Sequence, residues 1–392
     1  MMRKFTKNYL NYTVIFLAMI IFAILSFATP MKASNVLLFQ KITVAVVLAV
    51  SLNFVVGFLG ELSLGHAGFM SIGAFLGGVV AREIVKAFNI TTKGNVGVLI
   101  LLVIISMVVG AACAAICGFI VGFAALRLRG DYLAIVTLGF GEIVRVMFTN
   151  SSDGSFGGAI GLKDAPVFAK REMHILVLIG FACILLTLFV IQNLLKSKTG
   201  RAITAIRDNE IAAKAMGINV TRHKLMVFVI AAAFAGVAGV LFSYANTPIR
   251  ADSFDYNYSI EILIMVVLGG MGSINGSIIS ATLITILNEK LTVYMNGDNA
   301  VYKDLFYAII LILVIIYNNA PALKGFREKY NGKNLWAKIF KPKHNPAKDK
   351  GDAARWDVVP TKIEMNEVLS TDVVIDNTGD NSADIGERGG NK

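Results

Sequence analysis

Charged residues are scarce in this chain of 392 residues: Asp, Glu, Lys and Arg make up 16% of it, whereas hydrophobic residues make up 56%. Soluble globular domains carry about 25% charged residues. A water-soluble fold of this length could not cover so much apolar side chain. The shortage of charge therefore excludes an ordinary soluble domain and indicates that this protein folds in a lipid bilayer.

Cysteine and histidine are also rare. Cys113, Cys117 and Cys183 lie inside apolar runs without a paired spacing, so neither a metal site nor a disulfide framework is expected. The four histidines, at positions 66, 174, 223 and 344, are scattered along the chain. No convergent catalytic set is visible, which disfavours an integral membrane enzyme.

A phosphate-binding loop of the form G-x-x-x-x-G-K-[ST] is missing from the sequence. The net charge of +11 does not indicate nucleic acid, because Lys and Arg cluster at the ends of apolar runs and in a polar tail. We therefore expect no nucleic-acid partner and no cofactor on this chain, and any ATP used must bind another subunit.

The dominant pattern is a series of apolar runs, many of about twenty residues, enough to cross a bilayer. It predicts an all-α integral membrane protein with about ten transmembrane helices. The run 96–126 is either one tilted or projecting helix of about 45 Å or two spans. The candidate spans are 11–29, 40–60, 66–84, 96–126, 131–149, 174–194, 225–246, 259–271, 274–292 and 303–320.

One apolar stretch, 259–292, is interrupted by four glycines. This pattern predicts a helix that breaks and turns back within the membrane. The glycines are Gly269, Gly270, Gly272 and Gly276.

Basic residues indicate the orientation of the spans. Lys and Arg follow the positive-inside rule if both termini and the loop 196–224 are cytoplasmic and the loop 150–173 is extracytoplasmic. The predicted domains are a transmembrane unit, 1–340, and a polar cytoplasmic tail, 341–392, with too little apolar sequence to pack a core.

The loop Lys196–Lys224 carries its own helix signals. Asp208 is expected to cap a helix of about nine residues, Glu210 to lie in its first turn, and Gly217 to end it in a left-handed conformation. Ala212 and Ala213 leave this helix thin enough to enter a groove on another protein. An amphipathic helix on the membrane surface is the alternative.

Two sets of residues resemble a known family. The segment EIAAKAMGI at Glu210–Ile218 resembles the EAA-type coupling loop of ABC importer permeases. Three further blocks, in family order, resemble the LivM-type permease of branched-chain amino acid importers. They are GELSLGHAGFMSIGAFLGG from Gly60, LRLRGDYLAIVTLGFGEIVR from Leu126 and VVLGGMGSINGSIISA from Val266.

This resemblance implies an ABC-type permease fold in a bacterial cell membrane, with membrane lipid around it. It also implies a heterodimer with a homologous permease subunit, two cytoplasmic ATPase subunits that use the ATP, and an extracytoplasmic substrate-binding protein. The residues of the implied ATPase-coupling loop are Arg207, Asp208, Glu210, Ala212, Ala213 and Gly217.

Polar residues at membrane depth are candidates for a translocation path, because weak and distributed contacts permit passage. Interhelical or backbone hydrogen bonds are the alternative role for each of them. Glu142 and Arg145, three residues apart, are expected to neutralise each other or to contact substrate. The path candidates are Ser63, His66, Ser71, Thr137, Ser273, Asn275 and Ser277.

The sequence thus favours a permease subunit of an ATP-driven importer for branched-chain or other small amino acids. Related permeases leave a urea-like amide, a sugar or a nucleoside open as substrates. An ion-coupled secondary transporter is the competing class, because the broken stretch 259–292 could form half-helices around a substrate.

Overall fold

A computed structural model describes residues 15–23, 32–88, 95–125, 131–152, 155–163 and 172–294, with single positions 12, 165, 166, 168, 308, 309 and 312. These residues belong to one compact unit, Met1–Asn319. They form helices and loops without a strand, so the all-α prediction is confirmed for them. Part of the predicted span 11–29, most of the predicted span 303–320 and the whole tail 341–392 lie outside the described residues.

The described chain contains a helical stretch at 15–23 and ten further α-helices. They are α1 (Ala33–Asn53), α2 (His66–Ala87), α3 (Val96–Ala125), α4 (Asp131–Thr149), α5 (Met173–Lys196), α6 (Lys198–Asp208), α7 (Glu210–Ala215), α8 (Val220–Ser243), α9 (Tyr256–Gly269) and α10 (Ile274–Tyr294). A π-helical turn, Phe54–Leu59, extends α1.

Six of the described helices are long and apolar enough to cross a membrane: α1 with its π-helical turn, α2, α3, α4, α5 and α8. The protein is therefore a multi-pass membrane protein, while the count of ten spans stays a prediction. Within the run 96–126, residues Val96–Ala125 form one helix of 30 residues and not two spans. At 1.5 Å per residue its length is about 45 Å, well above the hydrocarbon thickness.

The centre of the bundle is packed through small residues. A Cβ atom on Gly239 of α8 would lie 1.9 Å from the carbonyl oxygen of Met70, and one on Gly73 of α2 would lie 2.2 Å from that of Gly236. A Cβ atom on Gly118 of α3 would similarly lie 2.6 Å from the Cβ of Ala232 in α8. Small side chains let these helix backbones approach closely, which maximises van der Waals contact where lipid offers no hydrophobic driving force.

We expect Gly239→Val to reduce the yield of folded protein severely, because its side chain would collide with the Met70 carbonyl and separate α2 from α8. Overpacking of this kind costs about 1–3 kcal/mol or more. Gly97→Val is the matched control, since nothing lies within 4 Å of a Cβ there. Monodisperse yield and thermal stability in detergent measure the effect, and equal behaviour of the two variants would contradict the packing argument.

The predicted break in 259–292 is confirmed. Helix α9 ends at Gly269 and α10 begins at Ile274, with Gly270 at φ 90° and Gly272 at φ 80° between them. Positive φ values of this size favour glycine. The two helices then turn back on each other, and the Ser280 hydroxyl of α10 donates a hydrogen bond to the Met265 carbonyl of α9.

The helical bundle brings separate connections together at each of its ends. At one end, the 60–65 connection and the break after α9 meet the loop that contains α6 and α7. At the other end, Leu162 and Ile249 form an antiparallel β-bridge, so the α4–α5 and α8–α9 connections are paired. The loops 150–173 and 196–224 therefore lie at opposite ends of α5, as the charge pattern requires.

Candidate functional site

The loop between α5 and α8 folds as two helices rather than one. Ser197 caps α6 by accepting a hydrogen bond from the Gly200 N–H at 3.2 Å. Asn209 has extended backbone, φ −158°, and caps α7 by accepting from the Ala212 N–H at 3.0 Å. The predicted cap, Asp208, is instead the last residue of α6. The prediction was one residue early because an N-cap residue needs a non-helical backbone, which Asp208 lacks.

Helix α7 is shorter than the predicted nine residues, since it contains only the six residues Glu210–Ala215. Glu210 lies in its first turn, as predicted. Gly217 has φ 79°, its N–H donates to the Lys214 carbonyl at 3.0 Å, and the Ile218 N–H donates to the Ala213 carbonyl at 3.1 Å. These two bonds form the Schellman motif, so the left-handed end at Gly217 is confirmed.

Helix α7 presents apolar side chains to solvent. Ile211 is 77% exposed and Met216 is 82% exposed, while Ala212 is also exposed and Ala213 packs inward. Large apolar side chains that are exposed together mark a contact with a protein or with the membrane surface. The helix is therefore a thin, apolar projection at the end of the bundle where the two interrupted segments meet.

Arg207, near the end of α6, links the loop that carries this projection to the π-helical turn at the end of α1 and to the break between α9 and α10. Its Nη1 atom donates a hydrogen bond of 2.8 Å to the Gly57 carbonyl in the π-helical turn. Its aliphatic stem covers Gly60, where a Cβ atom would lie 2.8 Å from Arg207 Cγ. The same Nη1 lies 3.3 Å from the position of a Cβ on Gly272. The guanidinium group thus sits between the π-helical turn and the break.

The π-helical turn and the break also touch each other directly. The Asn53 side chain accepts a hydrogen bond of 2.9 Å from the Gly272 N–H. A Cβ on Gly57 would lie 2.2 Å from the same nitrogen, so only glycine permits this approach. Single-turn π-helical segments are frequent at functional sites. A movement of α6 and α7 would therefore be transmitted to the π-helical turn through the Arg207 side chain. The contact between Gly57 and Gly272 would transmit it further to the break.

A second link is ionic. The Lys224 ammonium of α8 contacts the Glu61 carboxylate in the 60–65 connection and lies 3.0 Å from Glu210 Oε2 of α7. The Lys224 side chain is 6% exposed and that of Glu61 is 13% exposed. Lys214 also binds Glu210, at 2.6 Å. These hydrogen bonds from Lys214 and Lys224 lower the pKa of Glu210 to about 2, so Glu210 remains ionised throughout the physiological pH range.

The candidate path residues of the first two blocks are buried in the bundle. His66 Nε2 lies 2.8 Å from the Ser51 hydroxyl, and Ser71 donates to the Gly68 carbonyl. Thr137 accepts from the Leu64 N–H and donates to the Ala134 carbonyl. The Ser63 hydroxyl is buried without a hydrogen-bond partner among the described residues. The structure thus gathers these four around the start of α2, and their role in a path stays a prediction.

The other three candidates lie at the break. Ser273 and Asn275 line a cavity of about 280 Å³ between the break and the end of α5. The Ser273 hydroxyl caps α10 by accepting from the Gly276 N–H at 3.2 Å, and Ser277 donates to the Ser273 carbonyl. These bonds shape the break, and any contact with substrate stays a prediction.

Glu142 and Arg145 of α4 form the predicted ion pair, with 2.8 Å between Glu142 Oε2 and Arg145 Nε. Asp252 lies 3.7 Å from Arg145 Nη1, and the Tyr256 N–H donates to Glu142 Oε1. The pair therefore joins α4 to the α8–α9 connection, at the end opposite α7. The two charges neutralise each other and hold α4 against this connection, so the pair has a structural role that requires no contact with substrate.

Comparison with known proteins decides the family. The profile described as "Branched-chain amino acid transport system / permease component" matches residues 35–315. The chain belongs to this permease family. The LivM permease of Salmonella typhimurium is 34% identical over 321 residues, 75% of this chain and 71% of that protein. LivM of Escherichia coli K12 is 34% identical over 323 residues, with the same coverage.

A more distant relative is the ribose import permease RbsC of Escherichia coli K12. It is 26% identical over 338 residues, which cover 81% of the present chain and 96% of RbsC. No solved structure matches the permease. The family match covers every helix from α1 to α10 except the first two residues of α1. It includes the projection, the π-helical turn and the break.

Sequence reasoning had missed three residues of this site. The sequence places Lys224 only in the basic loop, gives Asn53 no distinct signal, and favours Asp208 over its neighbour Asn209 as the cap. A lysine that immediately precedes a membrane span indicates no specific partner, because Lys224 and Glu61 are 163 positions apart. Asn209 was accessible from sequence, since asparagine caps helices as well as aspartate does.

Proposed function

We propose that the permease is one transmembrane subunit of an ATP-driven importer of branched-chain or other small amino acids. The observation that carries this proposal is the connection between the loop that bears the exposed α7 projection and the irregular segments of the bundle. Arg207 of α6 binds the π-helical turn and lies beside the break, and Lys224 joins Glu210 of α7 to Glu61 of the 60–65 connection. A soluble ATPase that grips α7 could move both interrupted segments. Neither a free membrane-surface helix nor an ion-coupled transporter requires such a connection.

The proposed partners follow from this division of labour. Two cytoplasmic ATPase subunits supply the hydrolysis, since the sequence contains no phosphate-binding loop. A homologous permease subunit completes the path, and an extracytoplasmic binding protein delivers substrate. The apolar outer faces of α3 and α4, which include Ile116 and Ile143, are exposed and available to that subunit or to lipid. Both termini and α7 are assigned to the cytoplasm by the positive-inside rule.

Reconstitution in vesicles tests the proposal. The permease is co-expressed with its partner permease, ATPase and binding-protein subunits, and uptake of labelled leucine is followed with and without internal ATP. We expect uptake that requires ATP and persists when proton and sodium gradients are collapsed. Uptake that follows an ion gradient and survives ATP depletion would instead identify a secondary transporter. Ribose and urea, tested in parallel, address the alternative substrates.

A matched substitution on α7 links the result to the proposed joint. Met216→Glu places a charge immediately after α7, where the Met216 side chain is 82% exposed. We expect it to release the ATPase on co-purification while the permease still inserts. Retention of a fully active ATPase by Met216→Glu would show that α7 is not the contact.

A further inference from the structure

A cavity of about 340 Å³ lies between α1, α8, α9 and α10, near the end of the bundle opposite α7. Its position along the bundle follows from three of its lining residues. They are Phe242 at the end of α8, Tyr258 at the start of α9 and Thr292 at the end of α10. Its volume is at the lower limit for small-molecule sites, about 300–1,000 Å³. None of the path residues predicted from the sequence lines this cavity.

Charges of both signs line the cavity. Lys41 Nζ of α1 lies 2.6 Å from Glu289 Oε2 of α10, and Asn288 Nδ2 of α10 donates to Glu261 Oε1 of α9 at 3.0 Å. All four residues line the cavity. Ionisable side chains within membrane helices are costly and usually mark a binding site or a pathway. Lys41 lies on α1, one of the six described helices that are able to cross a membrane. The three charged residues come from three different helices, so the helix packing brings them to one cavity.

Apolar side chains also line the cavity. They are Val44 and Ala45 of α1 and Met265 of α9, which are buried, and Phe242 of α8, which is partly buried. A site with both charged and apolar lining residues suits a small ligand that has the same two parts. A simple anion would face two carboxylates, whereas a zwitterion presents one charge to Lys41 and the opposite charge to Glu261 and Glu289.

We infer that this cavity binds the zwitterion of a branched aliphatic α-amino acid. The ligand carboxylate lies at Lys41 Nζ, its ammonium group lies between the Glu261 and Glu289 carboxylates, and its side chain packs against Val44, Phe242 and Met265. Each ligand charge then meets the opposite charge through a charge-assisted hydrogen bond. The substrate class rests on the proposed function, whereas the location of the site rests on the cavity alone.

Equilibrium binding of labelled L-leucine to the complete transporter in nanodiscs, without binding protein or ATP, tests this inference. We expect Lys41→Met and Glu261→Gln each to weaken binding by about tenfold or more, because each removes a charged hydrogen-bond partner. Lys290→Met is the matched control. Lys290 is an exposed residue of α10 that does not line the cavity, so binding should remain within about twofold of wild type.

A charge exchange separates binding from a purely structural ion pair. Lys41→Glu combined with Glu289→Lys retains the pair but moves the positive charge from α1 to α10. If the pair only stabilises the fold, this double variant binds leucine normally, and the inference is wrong. We expect instead that it folds and still binds leucine weakly, because the ligand carboxylate then meets a carboxylate.

Competition on the wild-type transporter requires no variant to fold. 4-Methylpentanoic acid lacks the ammonium group and 3-methylbutylamine lacks the carboxylate, and we expect each to compete at least about tenfold less well than leucine. Equal competition by either compound, displacement of leucine by phosphatidylethanolamine in the nanodisc, or no saturable binding would overturn the inference. ATP-driven leucine uptake in the same preparation tests the proposed function separately.

Discussion

Lys224→Met is expected to lower the stability of the permease by about 3 kcal/mol and to abolish coupled transport. Lys224 is the cation between Glu61 and Glu210, and its side chain is only 6% exposed. Its removal leaves the Glu61 carboxylate, 13% exposed, without this ionic partner. An uncompensated buried charge costs far more than a surface charge. Thermal unfolding of the purified permease in detergent measures the loss.

Two further variants distinguish this mechanism from general damage. Lys214→Met removes a cation from the same Glu210 carboxylate, but the Lys214 side chain is 50% exposed. Its expected cost is therefore about 0.5 kcal/mol or less. Lys224→Met combined with Glu61→Gln removes both buried charges and should recover most of the stability. Failure of the double variant to recover would show that Lys224 acts through packing and not through charge.

Arg207→Ala is expected to leave ATP hydrolysis in the assembled importer largely intact and to reduce uptake per ATP by about tenfold. The guanidinium bond to the Gly57 carbonyl, 2.8 Å, is the direct hydrogen bond from α6 to the π-helical turn. A hydrogen bond to a charged group contributes about 1.5–3 kcal/mol, which corresponds to at least about a tenfold change in a two-state equilibrium. Parallel measurements of uptake and hydrolysis in vesicles provide the ratio.

Controls for this prediction lie on the same helix. Arg201 of α6 is exposed, so Arg201→Ala removes an equal charge and should preserve the ratio of uptake to hydrolysis. Arg207→Lys retains the charge but not the planar fork, so we expect intermediate coupling. If Arg207→Ala and Arg201→Ala have the same ratio as wild type, the connection through Gly57 does not carry the motion.

These two predictions concern different steps. The Lys224 cluster joins α7, α8 and the 60–65 connection within the permease itself, so its loss is seen without any partner subunit. Arg207 connects α6 to the π-helical turn and lies beside the break. Its loss is seen only when the ATPase turns over. Thermal unfolding of the permease alone detects the effect of Lys224→Met. ATP hydrolysis that continues while uptake falls detects the effect of Arg207→Ala.

The sequence alone determined the class of the protein and most helix positions. A membrane span must satisfy its backbone hydrogen bonds internally, so each long apolar run becomes one helix. The break after Gly269 and the left-handed end at Gly217 followed from glycine, whose missing Cβ permits positive φ. Local sequence signals did not distinguish between two adjacent residues that can both cap a helix. The predicted cap of α7 was Asp208, whereas the observed cap is Asn209.

Only the tertiary structure decided which distant residues meet. Lys224 and Glu61 are 163 positions apart, Arg207 and Gly57 are 150 apart, and Lys41 and Glu289 are 248 apart. Hydropathy specifies that a helix crosses the membrane but not which face it turns to which neighbour. That choice depends on close packing of small residues such as Gly239 against Met70, which brings the ends of the helices, and the charges on them, into contact.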